Sequence, residues 1–177
     1  QINNLAGVPA HADRLRAMRQ AMDDHMLAIF DNGFIPEGLP QEGYRASRDT
    51  TAYPLKRLIA LGAKAAARDR ANVPSLIPDL KDSNTIVRHW AAQGLLMLGA
   101  GASPARAALE AMMKNDTAAQ NRVVAAEALA TMAPSLEAVN ALAAIVSGSD
   151  PWAVKLQALN ALLNREPDKP LCPADLA

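Results

Sequence analysis

Three histidines, one acid-rich triplet and one basic stretch are the residues whose types could do chemistry in this chain. His11, His25 and His89 stand too far apart in sequence for any two to occupy the i, i+4 positions that present zinc with a pair of imidazoles. Asp23-Asp24-His25 sets three ligand types in a row. Successive residues of a helix point about 100° apart, so the three cannot converge on one ion. They are expected to be a solvated helix face, and no metal ligand is expected in the chain. His89 is followed by Trp90, whose indole is expected to pack between helices rather than to stack on a ligand. Between residues 45 and 70, Arg45, Arg48, Lys56, Arg57, Lys64, Arg68 and Arg70 face only Asp49 and Asp69, an excess of five. Such an excess could meet phosphate, a sulfated glycan or an acidic protein surface. Here it is diffuse and lacks interleaved aromatic residues, so it reads as helix surface. Over the whole chain 18 basic and 18 acidic residues cancel, which argues against a general nucleic-acid binder. The chain has no G-x-x-x-x-G-K-[ST] loop, no G-x-S-x-G elbow and no H-E-x-x-H run. No catalytic residue is therefore expected. A single cysteine excludes an internal disulfide framework and a cysteine-cluster metal site.

The elements that would position these residues are helices. Of 177 residues, 38 are Ala and 22 are Leu, while Phe, Trp and Tyr number two each. Ala and Leu are the best helix formers, and sandwiches and barrels favour aromatic and β-branched residues. The expected fold is all-α. Leu15, Met18, Met22, Met26 and Ile29 recur at spacings of three and four, which predicts an amphipathic helix over residues 9–30. Asp31-Asn32-Gly33 should end it with residues that tolerate left-handed backbone. Residues 33–52 show no periodicity, and a connector of this length inside a compact domain suggests a boundary or docking segment. Beyond Tyr53-Pro54 the pattern predicts short helices near 54–69, 73–81, 84–98, 104–114, 117–132, 135–147 and 151–164. Each is near or below the roughly 12–15 residues at which an isolated helix is stable, so they must hold one another. No apolar run approaches the roughly 18 residues of a membrane span. The chain opens at Gln1 without an initiator Met and shows no signal segment, so the native N-terminus is expected to lie upstream.

Self-comparison reveals a repeat. Asp82, Asp116 and Asp150 are spaced by 34 and 34, each between two predicted helices. The basic residues of Val87-Arg88, Asn121-Arg122 and Val154-Lys155 follow at spacings of 34 and 33. Small or apolar pairs come next at Ala91-Ala92, Ala125-Ala126 and Ala158-Leu159, then Leu95, Leu129 and Leu162. In the preceding helices Leu76, Leu109 and Leu142 step by 33, as do Leu80, Met113 and Val146. One helix pair cannot bury its apolar face, but stacked pairs share a core. Leu76, Leu80, Val87, Ala91, Leu95, Leu109, Met113, Ala125, Leu129, Leu142, Val146, Ala158 and Leu162 are therefore the expected core. Each Asp can cap the helix that follows it. The ladder Asp82, Arg88, Asp116, Arg122, Asp150 and Lys155 is expected to pair basic residues with the Asp of their own or the next repeat.

This pattern of Asp, turn, Val-Arg, two small residues and Leu resembles the HEAT-like repeats of α-solenoids over roughly residues 54–164. The resemblance implies an α-α superhelix of HEAT-like or armadillo type, preceded by an extra helix and a long loop. Its three clear repeats would lie at about 73–99, 104–133 and 136–164, with the helix at 54–69 as a degenerate N-terminal half. Second helices usually line the concave face in such proteins. Gln93, Glu127 and Asn160, each five positions after a basic ladder residue, should then face outward as the candidate interaction surface.

A second resemblance lies in the flanks. Gln1 to Ala6 with Asn3-Asn4-Leu5-Ala6, the Met-bearing helix, and Asp31-Asn32-Gly33-Phe34-Ile35-Pro36-Glu37 resemble the end of a bacterial sulfatase catalytic domain. The runs Val87 to Leu96 and Asp150 to Leu162 resemble HEAT-like tails appended to such enzymes. Those sulfatases convert a Cys or Ser within C/S-x-P/A-x-R beside a divalent metal such as calcium. In Leu171-Cys172-Pro173-Ala174-Asp175-Leu176, Leu176 stands where Arg is required, so Cys172 is expected to be a tail thiol. The resemblance thus implies residues 1–52 as the end of a sulfatase-like domain, 53–165 as the repeat domain and 166–177 as a flexible tail. The metal would belong to the absent catalytic domain, and this chain would hold no cofactor. The partner would be that catalytic domain or another protein, and the isolated chain could self-associate through its Met stripe. The compartment would be periplasmic or secreted. The alternative role is a wall of the parent enzyme's substrate site for sulfated glycans or aryl sulfates.

Overall fold

The computed structural model describes residues 4–164. Cys172, the tail 166–177 and Gln1 to Asn3 of the flank lie outside the described residues. Those that are described form helices α1 (Ala12–Ile29), α2 (Leu55–Ala67), α3 (Val73–Asp79), α4 (Thr85–Leu98), α5 (Arg106–Asn115), α6 (Ala119–Met132), α7 (Leu136–Ser147) and α8 (Trp152–Leu163), with no strand among them. No helix among the described residues is long and apolar enough to cross a membrane.

Local chemistry sets the boundaries. The Asn84 side chain accepts the amides of Ile86 and Val87 and starts α4, and Ser135 accepts the amide of Ala138 and starts α7. α3 has only seven residues, with one proline at its start and Pro78 near its end. The left-handed residue that ends α1 is Phe30, at φ 53°, and not any of Asp31-Asn32-Gly33. Phe30 holds that conformation beneath the Arg48 guanidinium, which lies 5.4 Å from its ring centre and donates to its carbonyl at 3.3 Å. A tertiary contact here overrides the local preference for Asn or Gly.

α4 packs between α2 and α6, and α6 also meets α8. α3, α5 and α7 pack against α4, α6 and α8 respectively, and α7 also touches α6. Leu58, Leu76, Ile86, Val87, Leu95, Leu109 and Leu142 have no exposed surface, and Ala91, Ala92, Ala125, Ala126 and Ala158 have none either. The alanines let helix backbones approach while the leucines fill the space between them. Of the expected core positions only Val146 and Leu162 are half-buried, packed at the edge of the same cluster. Both lie close to the end of α7 or α8, where no further described helix covers them.

α1 is the helix expected over residues 9–30, and most of its apolar stripe is uncovered among the described residues. None of its side chains is buried, and Met18 and Met22 are 65% and 63% exposed. Met26 alone of the stripe joins the edge of the core.

The connector is irregular apart from two short 3-10 turns, and it is fastened to the helices. The Phe34 ring lies 5.0 Å from that of Trp90, whose Nε1 donates to the Phe34 carbonyl at 2.8 Å. Leu39 and Tyr53 are buried in the common core. The Tyr53 hydroxyl donates to the Asp31 carbonyl at 2.8 Å, and its burial pushes the phenol up to about 12. Gly62 on α2 makes room for this arrangement, because a Cβ there would stand 2.8 Å from Cε1 of Phe34. In Gly62→Ala, the helix gains about 1 kcal/mol from propensity, while the ring must leave its seat. The expected result is an almost unchanged unfolding midpoint with red-shifted Trp90 emission and faster proteolysis within residues 33–52. Unchanged emission and proteolysis would show that the ring is not wedged there.

Candidate functional site

The ladder residues meet across successive turns. Arg88 makes a forked pair with Asp116, with Nε to Oδ2 at 2.7 Å and Nη2 to Oδ1 at 3.0 Å. Its Nη1 donates to the carbonyls of Asp82 and Ser83 at 2.9 and 3.2 Å. Arg122 repeats the motif more loosely, donating to the Asp116 carbonyl at 3.0 Å and to Asp150 Oδ1 at 3.4 Å. Each arginine thus ties its own turn to the next one. Arg57, read from the sequence as part of a diffuse basic surface, supplies the first rung by contacting Asp79 and Asp82 at 2.7 Å each. Lys155 has no such pairing among the described residues, and no further ladder Asp follows it there.

The aspartates act one step before the helix cap. Asp82 accepts the amide of Asn84 at 2.7 Å, and Asp116 accepts that of Ala118 at 2.8 Å. Burial pulls the Asp116 carboxyl upward, but Arg88, the Ala118 amide and Asn121 outweigh it and hold the carboxyl below its ordinary value.

A buried relay leads from this ladder to an open cleft. Asn121 has no exposed surface and stands where the other repeats carry Val87 and Val154. Its Nδ2 donates to Asp116 Oδ2 and to the Thr85 carbonyl, each at 3.2 Å. Both partners are acceptors, so the amide orientation is set and Oδ1 faces His89 Nδ1 at 3.2 Å. That nitrogen must carry the proton. Nε2 is then an acceptor, 3.4 Å from the Gln93 amide nitrogen. Burial lowers the His89 pKa to about 4, against a smaller upward pull from Asn121 and Asp116.

The cleft has a volume of about 260 Å³. His89 and Gln93 of α4, Glu127 of α6 and Gln157 and Asn160 of α8 line it, and Pro36 of the connector closes one side. The three positions singled out by repeat register therefore share one cavity. Asn160 is exposed, whereas Gln93 and Glu127 are half-buried rather than fully outward. Burial raises the Glu127 pKa, with no charged neighbour contributing.

The other sequence candidates do not converge. Asp24 accepts from Gln20 at 2.8 Å, and no group of three or more His, Cys, Asp or Glu residues gathers as metal ligands do among the described residues. The basic stretch disperses: Arg57 joins the ladder, Lys64 contacts Ser75 at 3.2 Å and Arg48 lies 4.3 Å from the Tyr44 ring centre. A larger cavity of about 620 Å³ between α1 and α2 is walled mainly by Leu27, Phe30, Pro54, Leu55 and Ala60. Its Tyr53 hydroxyl and Arg48 guanidinium are already engaged, so it offers few groups to orient a ligand. Asn121, which sequence reasoning passed over, had one signal: a polar residue in an otherwise Val register.

The relay makes stability depend on pH. His89 binds a proton near pH 6.5 when unfolded but only near 4 when folded. Its contribution is complete above 6.5 and is lost as pH falls through that window, by at most about 3 kcal/mol. Glu127 works oppositely: its raised folded value makes its contribution largest at low pH and lost as pH rises through it. In Glu127→Gln the urea midpoint should therefore fall steadily from pH 6.5 to 4, and the His89 ring resonances should titrate near 4. Titration near 6.5 would contradict the relay.

No family model, curated protein or solved structure matches this chain.

Proposed function

We propose that the chain is a non-catalytic helical-repeat module that holds a segment of a protein partner in the cleft lined by Gln93, Glu127 and Asn160. One observation carries this reading: three polar positions at repeat register on α4, α6 and α8 line a single cavity. The side-by-side packing of α2, α4, α6 and α8, with an arginine tying successive turns, supports a HEAT-like superhelical arrangement. A row of helices presenting polar side chains suits binding, and the described lining of the cleft holds no Ser, Thr, Cys or Lys.

On the sequence resemblance of Asn4-Leu5-Ala6, of Gly33 to Glu37 and of the Trp-bearing repeats, the module would be the C-terminal portion of a sulfuric ester hydrolase. Its partner would then be that enzyme's catalytic domain, which would also hold the divalent metal. The test places a photo-crosslinking benzoylphenylalanine at Asn160 in the parent protein, with exposed Ala107 of α5 as control. The expected adduct joins Asn160, but not Ala107, to a protein segment outside residues 4–164. Equal labelling at both positions, or none, would remove the interaction reading. Turnover of an aryl sulfate or a sulfated sugar by the chain alone would remove its non-catalytic character. A gene without C/S-x-P/A-x-R before Gln1 would remove the sulfatase parentage.

A further inference from the structure

The cleft is asymmetric in charge. Among the described residues Glu127 is the sole carboxyl in its lining, and no Lys or Arg shares the lining with it. His89 is neutral, with its protonated nitrogen turned inward to Asn121. Glu127 has no ion-pair or hydrogen-bond partner among the described residues, and burial alone perturbs it. A half-buried carboxyl without a counter-charge is costly to ionise, and a cationic group entering the cleft would remove that cost.

The same helical face already receives main chain. Trp90 Nε1 donates to the Phe34 carbonyl at 2.8 Å, and Gln120 Nε2 donates to the Glu37 carbonyl at 3.1 Å. The non-helical connector is thus held on α4 and α6 through its carbonyl oxygens. Pro36, between those two anchors, forms a wall of the open cleft, so the cleft continues the surface that binds the connector. Beyond Pro36 the amides of Gln93, Gln157 and Asn160 offer donors and acceptors of the kind a peptide backbone needs. The volume of about 260 Å³ lies below the roughly 300–1,000 Å³ of sites for drug-sized ligands and suits one long side chain.

We propose that the cleft binds a lysine or arginine side chain presented by a non-helical peptide segment, with Glu127 as its counter-charge and the amides of Gln93, Gln157 and Asn160 on its main chain. This rests on the interaction reading above and specifies the chemistry of the partner segment. Recognition is electrostatic at one point and backbone-directed around it, so a basic residue is selected without a fixed surrounding sequence.

The test titrates the full ¹⁵N-labelled chain with capped alanine pentapeptides carrying central Lys, Arg or norleucine, and with n-butylamine. The Lys and Arg peptides should shift amides of α4, α6 and α8 around the cleft. They should bind about tenfold or more tightly than the norleucine peptide, with the difference falling as salt rises. Glu127→Gln, close in size and uncharged, should retain the fold and abolish the Lys preference. Gln93→Ala should weaken every peptide while preserving it. Equal affinity for norleucine and lysine, or an unaltered preference in Glu127→Gln, would overturn the proposal. Butylamine binding as tightly as the Lys peptide would overturn its peptide part and identify a small amine as ligand. Asn160 crosslinks that persist without a Lys preference would sink this inference alone, whereas absent crosslinks would sink the interaction reading.

Discussion

Asp116→Ala is expected to destabilise the chain by about 3–5 kcal/mol, the range seen when one partner of a buried ion pair is removed. The Asp116 side chain is 3% exposed and that of Arg88 13%. The carboxylate accepts two bonds from Arg88, one from the Ala118 amide and one from Asn121. Its loss leaves a guanidinium short of a counter-charge and a buried amide short of an acceptor. Asp150→Ala should cost only about 0–1 kcal/mol, because the Arg122 contact is 3.4 Å and both side chains are about a quarter exposed. Urea unfolding of the two variants decides the matter, and equal losses would mean that the ladder is not graded by burial. A double-mutant cycle should likewise give a larger coupling for Arg88 with Asp116 than for Arg122 with Asp150. Acid adds a direction: because the folded Asp116 value is lowered, its contribution is complete above the ordinary carboxyl range and lost as pH falls through the folded value.

Leu95→Ala and Leu129→Ala should each cost about 2–5 kcal/mol, from lost apolar transfer and from the cavity left behind. Leu95 has no exposed surface and Leu129 has 1%. They occupy equivalent repeat positions on α4 and α6, helices that pack directly on each other. Leu163, on α8 but 71% exposed, is the control, and Leu163→Ala should change stability by less than about 0.5 kcal/mol. A loss below about 0.5 kcal/mol at Leu95 or Leu129 would mean that the packing register is wrong.

The helices of this chain were legible because their determinants are local. Apolar residues three and four apart mark a face, and Asp, Asn, Gly and Pro mark its ends. The predicted helix near 84–98 is α4 at Thr85–Leu98, and that near 117–132 is α6 at Ala119–Met132. Recurrence at spacings of 33 and 34 likewise marked most of the buried positions, Val146 and Leu162 excepted. Legibility failed where a local pattern had two outcomes. The Met stripe of α1 has helical periodicity, but periodicity says only that a face exists and not that anything covers it. Phe30 holds the left-handed position, and its carbonyl is met by a guanidinium eighteen residues later, a contact that no window around it contains.

By itself, then, the amino-acid order determined an all-helical chain, the places of its helices, and the 34-residue recurrence of Asp with a following basic residue. Only the tertiary structure decided what those groups do. Arg88 reaches the Asp 28 residues later while meeting the backbone carbonyls of its own turn. His89 meets an amide 32 residues away, and Gln120 meets a carbonyl 83 residues away. Such partners depend on the offset and angle at which packed helices sit. Those are settled by the summed fit of many apolar side chains and are written in no single stretch of sequence. The cleft shared by Gln93, Glu127 and Asn160 belongs to this second kind: register aligned the three residues, and the packing of three helices with the connector brought them around one open cleft.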